Sequence, residues 1–340
     1  MINNIIYNVF ATESKNEFSA AWFNHCSSIC QHKNGVLLTW YAGSGECKDD
    51  QSVYLMFQDD KTVSDPVRIG DKTGNPVLWA DGKSAILLWS RFDDAGYVLK
   101  SPVERWKLCS IWIQRVEFDK GIRFLDKPKK IVDVGQHLLG RCTPIKTSTG
   151  SILLPLYNEV FRCGVIYQID DMKASLLGTI GKDMIQPTIW EINRIIYSLS
   201  RNFSNRRELY AKSSHSDDFG ATWSKPRRTI IDNNNSSLHT VQWCGETYVL
   251  WNDTQSLVRR NLTLGRLSVE NMGIVNEAVP NIDRIWYMAD YGSYPSMCID
   301  KYNRLHMTYT NKAKRINHHV WNRKFFTNRE YVGRRNPPKH

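Results

Sequence analysis

A short turn followed by an apolar, aromatic-rich strand recurs six times along this chain, and a repeat of that kind leaves few folds open. The copies are Asn34-Gly35 before Val36–Ala42, Asp81-Gly82 before Lys83–Ser90, Thr149-Gly150 before Ser151–Tyr157, Ile192-Asn193 before Arg194–Ser200, Cys244-Gly245 before Glu246–Asn252 and Tyr302-Asn303 before Arg304–Thr310. Their turns lie 43 to 68 residues apart. That is the length of one four-stranded propeller blade with variable loops. Gly or Asn at each turn is expected to supply the positive φ of a tight hairpin. No segment holds an apolar period of 3.6 residues for long, so no helix is expected. The pattern predicts an all-β, six-bladed β-propeller in which residues 1–340 form one domain, with a basic C-terminal tail from about residue 322.

Composition sets the remaining bounds. Of 340 residues 41% are hydrophobic and 11% aromatic, enough for a large core and too much for disorder. No apolar run approaches the ~18 residues of a membrane span, and the first ten residues lack the features of a signal peptide. A cytoplasmic location is therefore expected. The eight cysteines show no metal-ligand spacing and read as scattered reduced thiols, and the four Asn-X-Ser/Thr sequons read as unglycosylated. No metal or organic cofactor is indicated. The net charge of +11 admits nucleic acid, a membrane surface or an anionic small molecule. The cations are spread along the chain, no nucleic-acid motif accompanies them, and an anionic small molecule is the expected partner.

A second element follows four of the repeats. Its clearest copy, Ser216-Asp217-Asp218-Phe219-Gly220-Ala221-Thr222-Trp223, fits the S-x-D-x-G-x-T-W pattern of an Asp box. The Asp accepts backbone N–H groups of the turn and the Gly takes the left-handed position. Weaker copies are Gln58–Lys61, Glu117–Gly121 and Ile169–Met172. These boxes stabilise hairpins and are expected to carry no chemistry.

With the boxes stand shorter strings in a fixed order: Phe23–Ser27, Trp40–Glu46, Gly74-Asn75-Pro76, Leu154–Glu159, Gln186-Pro187-Thr188, Leu199-Ser200-Arg201, Asn233–Ser236, Arg259–Leu262, Ser293-Tyr294-Pro295 and Tyr309-Thr310. On these the chain resembles the sialidase superfamily, in its bacterial branch with degenerate Asp boxes, from about Trp22 to His318. The resemblance implies a retaining exo-glycosidase that removes a terminal acidic 2-keto sugar (sialic acid, or a related ulosonic acid such as a 3-deoxy-octulosonic acid) from a glycan or lipopolysaccharide. It also implies an arginine triad for the sugar carboxylate, a Tyr nucleophile with a Glu partner, and an Asp acid/base. A phenol suits this role because a carboxylate nucleophile would be repelled by the substrate carboxylate.

Residue by residue, Arg201 falls at the second triad arginine and Arg259 at the third, with Arg260 beside it. Tyr294 matches the nucleophile. The acid/base belongs on the loop after the first repeat strand, where Asp50 is nearest the family position, Glu46 follows and Asp49 lies between. Two positions depart from the pattern. His25 stands where the first arginine begins its strand, which removes a bidentate carboxylate contact. Gln186 stands in place of the Glu partner of the Tyr, and Glu159 is the candidate to replace it. Asn75, Asn235, Asn252, Arg141 and Arg315 complete the polar residues of these strings, either lining the pocket or satisfying backbone groups between blades. Two readings compete with the glycosidase. One is a non-catalytic carbohydrate-binding propeller, since fold does not imply function. The other is a polysaccharide lyase in which Tyr294 or His25 takes the proton α to a uronate carboxylate.

Overall fold

The computed structural model describes residues 7–9, 23–80, 84–92, 102–203, 209–268 and 281–321. The turn at Asp81-Gly82, the stretch from residue 322 and the extreme N-terminus lie outside them. After β1 (Tyr7–Val9) come six antiparallel sheets in chain order. Blade 1 is β2 (Phe23–His32), β3 (Gly35–Gly43), β4 (Ser52–Gln58) and β5 (Val67–Asp71). Blade 2 is β6 (Thr73–Ala80), β7 (Ala85–Arg91), β8 (Ser110–Phe118) with the short β9 (Ile122–Phe124), and β10 (Lys129–Val132). Blade 3 has a divided first strand, β11 (Leu138–Gly140) and β12 (Ile145–Lys146), then β13 (Ile152–Asn158), β14 (Cys163–Asp170) and β15 (Lys173–Lys182). Blade 4 is β16 (Met184–Ile192), β17 (Ile195–Asn202), β18 (Tyr210–Ser216) and β19 (Arg227–Asp232). Blade 5 is β20 (His239–Trp243), β21 (Glu246–Asn252), β22 (Leu262–Ser268) and β23 (Asn281–Ala289). Blade 6 is β24 (Gly292–Ile299), β25 (Leu305–Asn311) and β26 (Arg315–Trp321), completed by β1. The pairing of β1 with β26 makes the first strand of the chain the outer strand of the last blade. The molecule is a six-bladed β-propeller.

Each repeat read from the sequence is the second strand of a blade (β3, β7, β13, β17, β21, β25). These strands are buried on both faces, as in Val36–Ala42 and Thr247–Asn252, which explains why they read as near-continuous apolar runs rather than alternating ones. Positive φ occurs at the turns as expected for Gly150, Asn193, Gly245 and Asn303. At the first turn it falls on Lys33 instead. Gly35 has a different reason: a Cβ there would lie 2.1 Å from the Gln58 carbonyl oxygen. Among the described residues one helix, α1 (Pro102–Lys107), departs from the all-strand expectation. It brings the Trp106 ring over Gly74, where a Cβ would meet it at 2.3 Å.

The Asp boxes lie between the third and fourth strands of blades 1 to 4, at the outer edge of each sheet. In the clearest copy the Asp218 carboxylate accepts from Thr222 N (2.8 Å), Thr222 Oγ1 (2.6 Å) and Ser216 Oγ (2.8 Å). Trp223 Nε1 donates to Gly220 O at 2.9 Å, and Gly220 has φ 98°. These bonds are internal to the turn, so the box holds a hairpin. Among the described residues no helix is long and apolar enough to cross a membrane.

Candidate active site

The first strand of each blade faces the axis, and four of them break register at one level: β2 between His25 and Ser28, β6 between Gly74 and Val77, β16 between Ile185 and Thr188, and β24 between Ser293 and Ser296. At each break sits a residue in the left-handed region: Cys26 (φ 58°), Asn75 (φ 45°), Gln186 (φ 52°) and Tyr294 (φ 51°). These are β-bulges, which re-aim a side chain and interrupt pairing. Pro76, Pro187 and Pro295 follow three of them; proline has no N–H to give the ladder and bars its predecessor from the right-handed helical region. Left-handed backbone at non-glycine residues costs energy and clusters at functional sites. Here four such residues ring the axis.

Two of the bulges, those of β2 and β24, are tied together by Arg141, from the break between β11 and β12. Its Nη1 donates to Ser27 O (3.2 Å), its Nη2 to Pro295 O (2.5 Å) and its Nε to Ser237 Oγ (2.9 Å). It is 1% exposed. Arg141 therefore satisfies backbone groups of blades 1 and 6, one of the two roles open to it from sequence.

Tyr294 is the centre of the arrangement. Its hydroxyl oxygen accepts from Arg201 Nη1 at 3.4 Å and from Arg259 Nη2 at 3.5 Å. The Arg259 and Arg141 guanidinium carbons lie 4.8 and 5.4 Å from its ring centre, within cation–π range. The His25 ring meets it edge-on at 4.2 Å between centroids. Arg201, at the end of β17, is fixed by Asn235 Oδ1 on Nε (2.6 Å) and Gln186 Oε1 on Nη1 (3.2 Å). A guanidinium only donates, so the Gln186 oxygen must face Arg201 and its Nε2 must face Tyr157, whose hydroxyl it reaches at 3.3 Å. Asn75 Nδ2 reaches the same hydroxyl at 3.4 Å. Sequence reasoning gave Tyr157 and Tyr41 no role; the only signal was their place at the ends of repeat strands, beside Glu159 and before Glu46.

The carboxylates divide. Asp50, the first choice from sequence for acid/base, is held by its own loop: its oxygens accept from Ser44 N and Ser44 Oγ, both at 2.9 Å. Asp49 pairs with Arg105 at 2.7 Å. Glu46 instead accepts from Tyr41 Oη at 3.2 Å, and its charge acts on Tyr294 as well as on Tyr41. Glu159 follows β13; burial raises its carboxyl, against the pull of Arg201, Lys107 and Arg162. Asn252 and Arg260 lie aside. Asn252 Nδ2 donates to Arg260 O (3.0 Å) and Gly292 O (2.7 Å), anchoring the loop of Arg259 to the start of β24. The Arg260 side chain stacks 5.4 Å from the Tyr291 ring centre. Arg315 is exposed at the start of β26.

Burial and the cations Arg259, Arg141 and Arg201 lower His25 well below its ordinary value, so it is neutral, and its Nδ1 is sealed off without a partner. Burial also raises the Tyr41 and Tyr157 phenols well above the usual value. Burial works to raise Tyr294 too, yet Arg259 and Arg201 outweigh it and hold this phenol below the ordinary value. Among the described residues no three His, Cys, Asp or Glu side chains gather as metal ligands would.

A propeller of six such blades with an arginine-flanked tyrosine on its axis defines the sialidase-like class. The family model described as a BNR repeat-like domain matches residues 34–307, and the chain belongs to that family. Among curated protein sequences none matches the chain. Among solved structures it is similar to a protein of unknown function from Dyadobacter fermentans (TM-score 0.67, 12% identity, 89% of this chain and 95% of that one). It is also similar to a Hadza microbial sialidase (TM-score 0.67, 13% identity, 90% and 67%) and to Trypanosoma rangeli sialidase (TM-score 0.64, 13% identity, 88% and 55%). The chain thus spans about half the length of the trypanosomal enzyme. At these identities the likeness is one of fold.

Proposed function

We propose that the protein is a retaining exo-glycosidase acting on a terminal sugar that carries a carboxylate, a sialic acid or a related 2-keto acid. The observation that supports this best is the convergence of Arg201 and Arg259 on the Tyr294 hydroxyl at 3.4 and 3.5 Å. A sugar carboxylate held by that pair brings the anomeric carbon beside the phenol oxygen. In this reading Tyr294 attacks the anomeric carbon, Glu46 gives its proton to the departing oxygen, and water then releases the sugar with Glu46 taking the proton back. With His25 neutral where a third arginine would stand, two cations rather than three receive the carboxylate. A panel of sialyl, ulosonyl and uronyl glycosides, scored for released sugar acid, tests the reading. At least one substrate should be cleaved, and Tyr294→Phe should abolish turnover in a protein that keeps its ring packing and its fold by circular dichroism. A Phe variant with full activity would remove Tyr294 from the mechanism.

One observation favours a second reading. Gln186 is neutral and Asp50 is bonded to Ser44, so two arginines flank the Tyr294 oxygen without a carboxylate bonded to it, an arrangement also suited to abstracting the proton α to a uronate. Lyase products absorb in the ultraviolet, and hydrolysis products of the same panel do not.

A further inference from the structure

In this site the residue that stands for a carboxylate base, Gln186, is engaged elsewhere. Its oxygen is turned to Arg201 and its amide nitrogen to Tyr157, so it has no acceptor to offer Tyr294. The Tyr294 oxygen receives N–H groups from two guanidiniums, and among the described residues no acceptor is in place for a hydroxyl hydrogen. A phenol needs one acceptor for its hydrogen; a phenolate needs only donors. We propose that Tyr294 rests as a phenolate held by Arg201 and Arg259, so that this arginine pair, and not a carboxylate base, activates the nucleophile.

The groups around that oxygen support the assignment from every side. From β2 come His25, neutral, and the Cys26 thiol, which burial pushes up to about 11. From β3 and its following loop come Tyr41, whose hydroxyl donates to Glu46, and Glu46 itself, a carboxylate that opposes ionisation of Tyr294. Blade 3 contributes Arg141, the Tyr157 phenol, which burial raises well above its ordinary value, and Glu159, whose carboxyl burial raises against the pull of Arg201. Blade 4 contributes Arg201 and the neutral Gln186, and the loop into blade 5 the neutral Asn235; Arg259 closes the ring. Three cations, Arg141, Arg201 and Arg259, surround the Tyr294 ring and its oxygen. Environments that drive neighbouring titratable groups apart mark their separate roles, and here Tyr294 is driven opposite to Tyr41 and Tyr157.

Within the proposed glycosidase the balance is simple. The phenolate oxygen forms a bond to the anomeric carbon as the bond to the aglycone oxygen breaks, and that oxygen takes the proton of Glu46. Water then attacks, Glu46 recovers a proton, and Tyr294 departs as the anion it was. No proton passes between Tyr294 and a base in either half. The inference rests on the site reading, but ionisation is read with no substrate present.

The test is a spectrophotometric pH titration of tyrosinate absorbance on the full chain, wild type minus Tyr294→Phe. One tyrosinate per chain should be present in the difference already at about pH 7, well below the ordinary tyrosine value of about 10. Arg201→Met and Arg259→Met should each move it up by roughly one pH unit or more. Gln186→Glu, which adds an anion beside Arg201, should also raise it. A Tyr294 that is un-ionised at about pH 7, or one that neither arginine variant moves, overturns the proposal. Should the Phe variant not fold, NMR of ring-labelled tyrosine in the wild type reads the same ionisation. A failed sugar screen with the early tyrosinate present would remove the glycosidase reading alone.

Discussion

At the scale of single residues the two arginines carry the sharpest expectation. Arg201 is 9% exposed and pinned by Asn235 and Gln186, so its charge acts in a site with little water to screen it. Charge-assisted bonds of that kind contribute about 1.5–3 kcal/mol each. Arg201→Ala or Arg259→Ala should therefore weaken binding of an acidic monosaccharide roughly ten- to a hundredfold or more. Lys should restore only part, since it keeps the charge and loses the planar fork. The loss should persist at high ionic strength, whereas an exposed charge would be screened within a Debye length. Calorimetry at low and high salt checks this; changes under twofold in both variants would refute the clamp. Of the candidates read from sequence, Arg201, Arg259, Tyr294, His25, Gln186, Asn75 and Asn235 gather at the axis. Asp50 is bonded instead to the N–H and hydroxyl of Ser44, six residues earlier in its own loop, and sequence order alone cannot weigh that local competition.

At the scale of elements the repeat strands were legible because each is buried on both faces, and burial writes itself into composition. The reason for a glycine was less legible. Gly35 is a spacing residue rather than a turn former, since the Gln58 carbonyl lies where its Cβ would be. Backbone cannot yield as a side-chain tip does, so Gly35→Ala should destabilise the protein by about 1–3 kcal/mol, as overpacking commonly does. Gly121, with open space around its Cβ position, serves as the control and should tolerate Ala with little change. Urea midpoints at constant slope measure both. Equal effects at the two positions would show that crowding against Gln58 is not the cause.

At the scale of the whole molecule the buried histidines tie stability to pH. Burial lowers His25 and His318 well below the usual value and His239 to about 3. A group whose folded value is depressed leaves the unfolded chain binding more protons over the interval between the two values. Its contribution is thus complete above the unfolded value of about 6.5 and is lost as pH falls toward the folded value. The thermal midpoint should be level above that pH and decline steadily below it, before most carboxylates titrate. A midpoint flat from about pH 7 down to about pH 4.5 would exclude these histidines as the cause.

The sequence by itself determined the number of blades, the position of the second strand in each, the Asp-box hairpin and the order of the polar strings. All of these follow from local hydropathy and turn chemistry, which act over a few residues. Only the tertiary structure decided which polar residues meet. Ser27, Arg141 and Pro295 are far apart along the chain and bonded across the axis. Gln186 is turned from Tyr294 by the demands of Arg201 and Tyr157. Side-chain direction at a bulge, and the sharing of a few donors among many acceptors, depend on contacts between blades that no single stretch of chain contains.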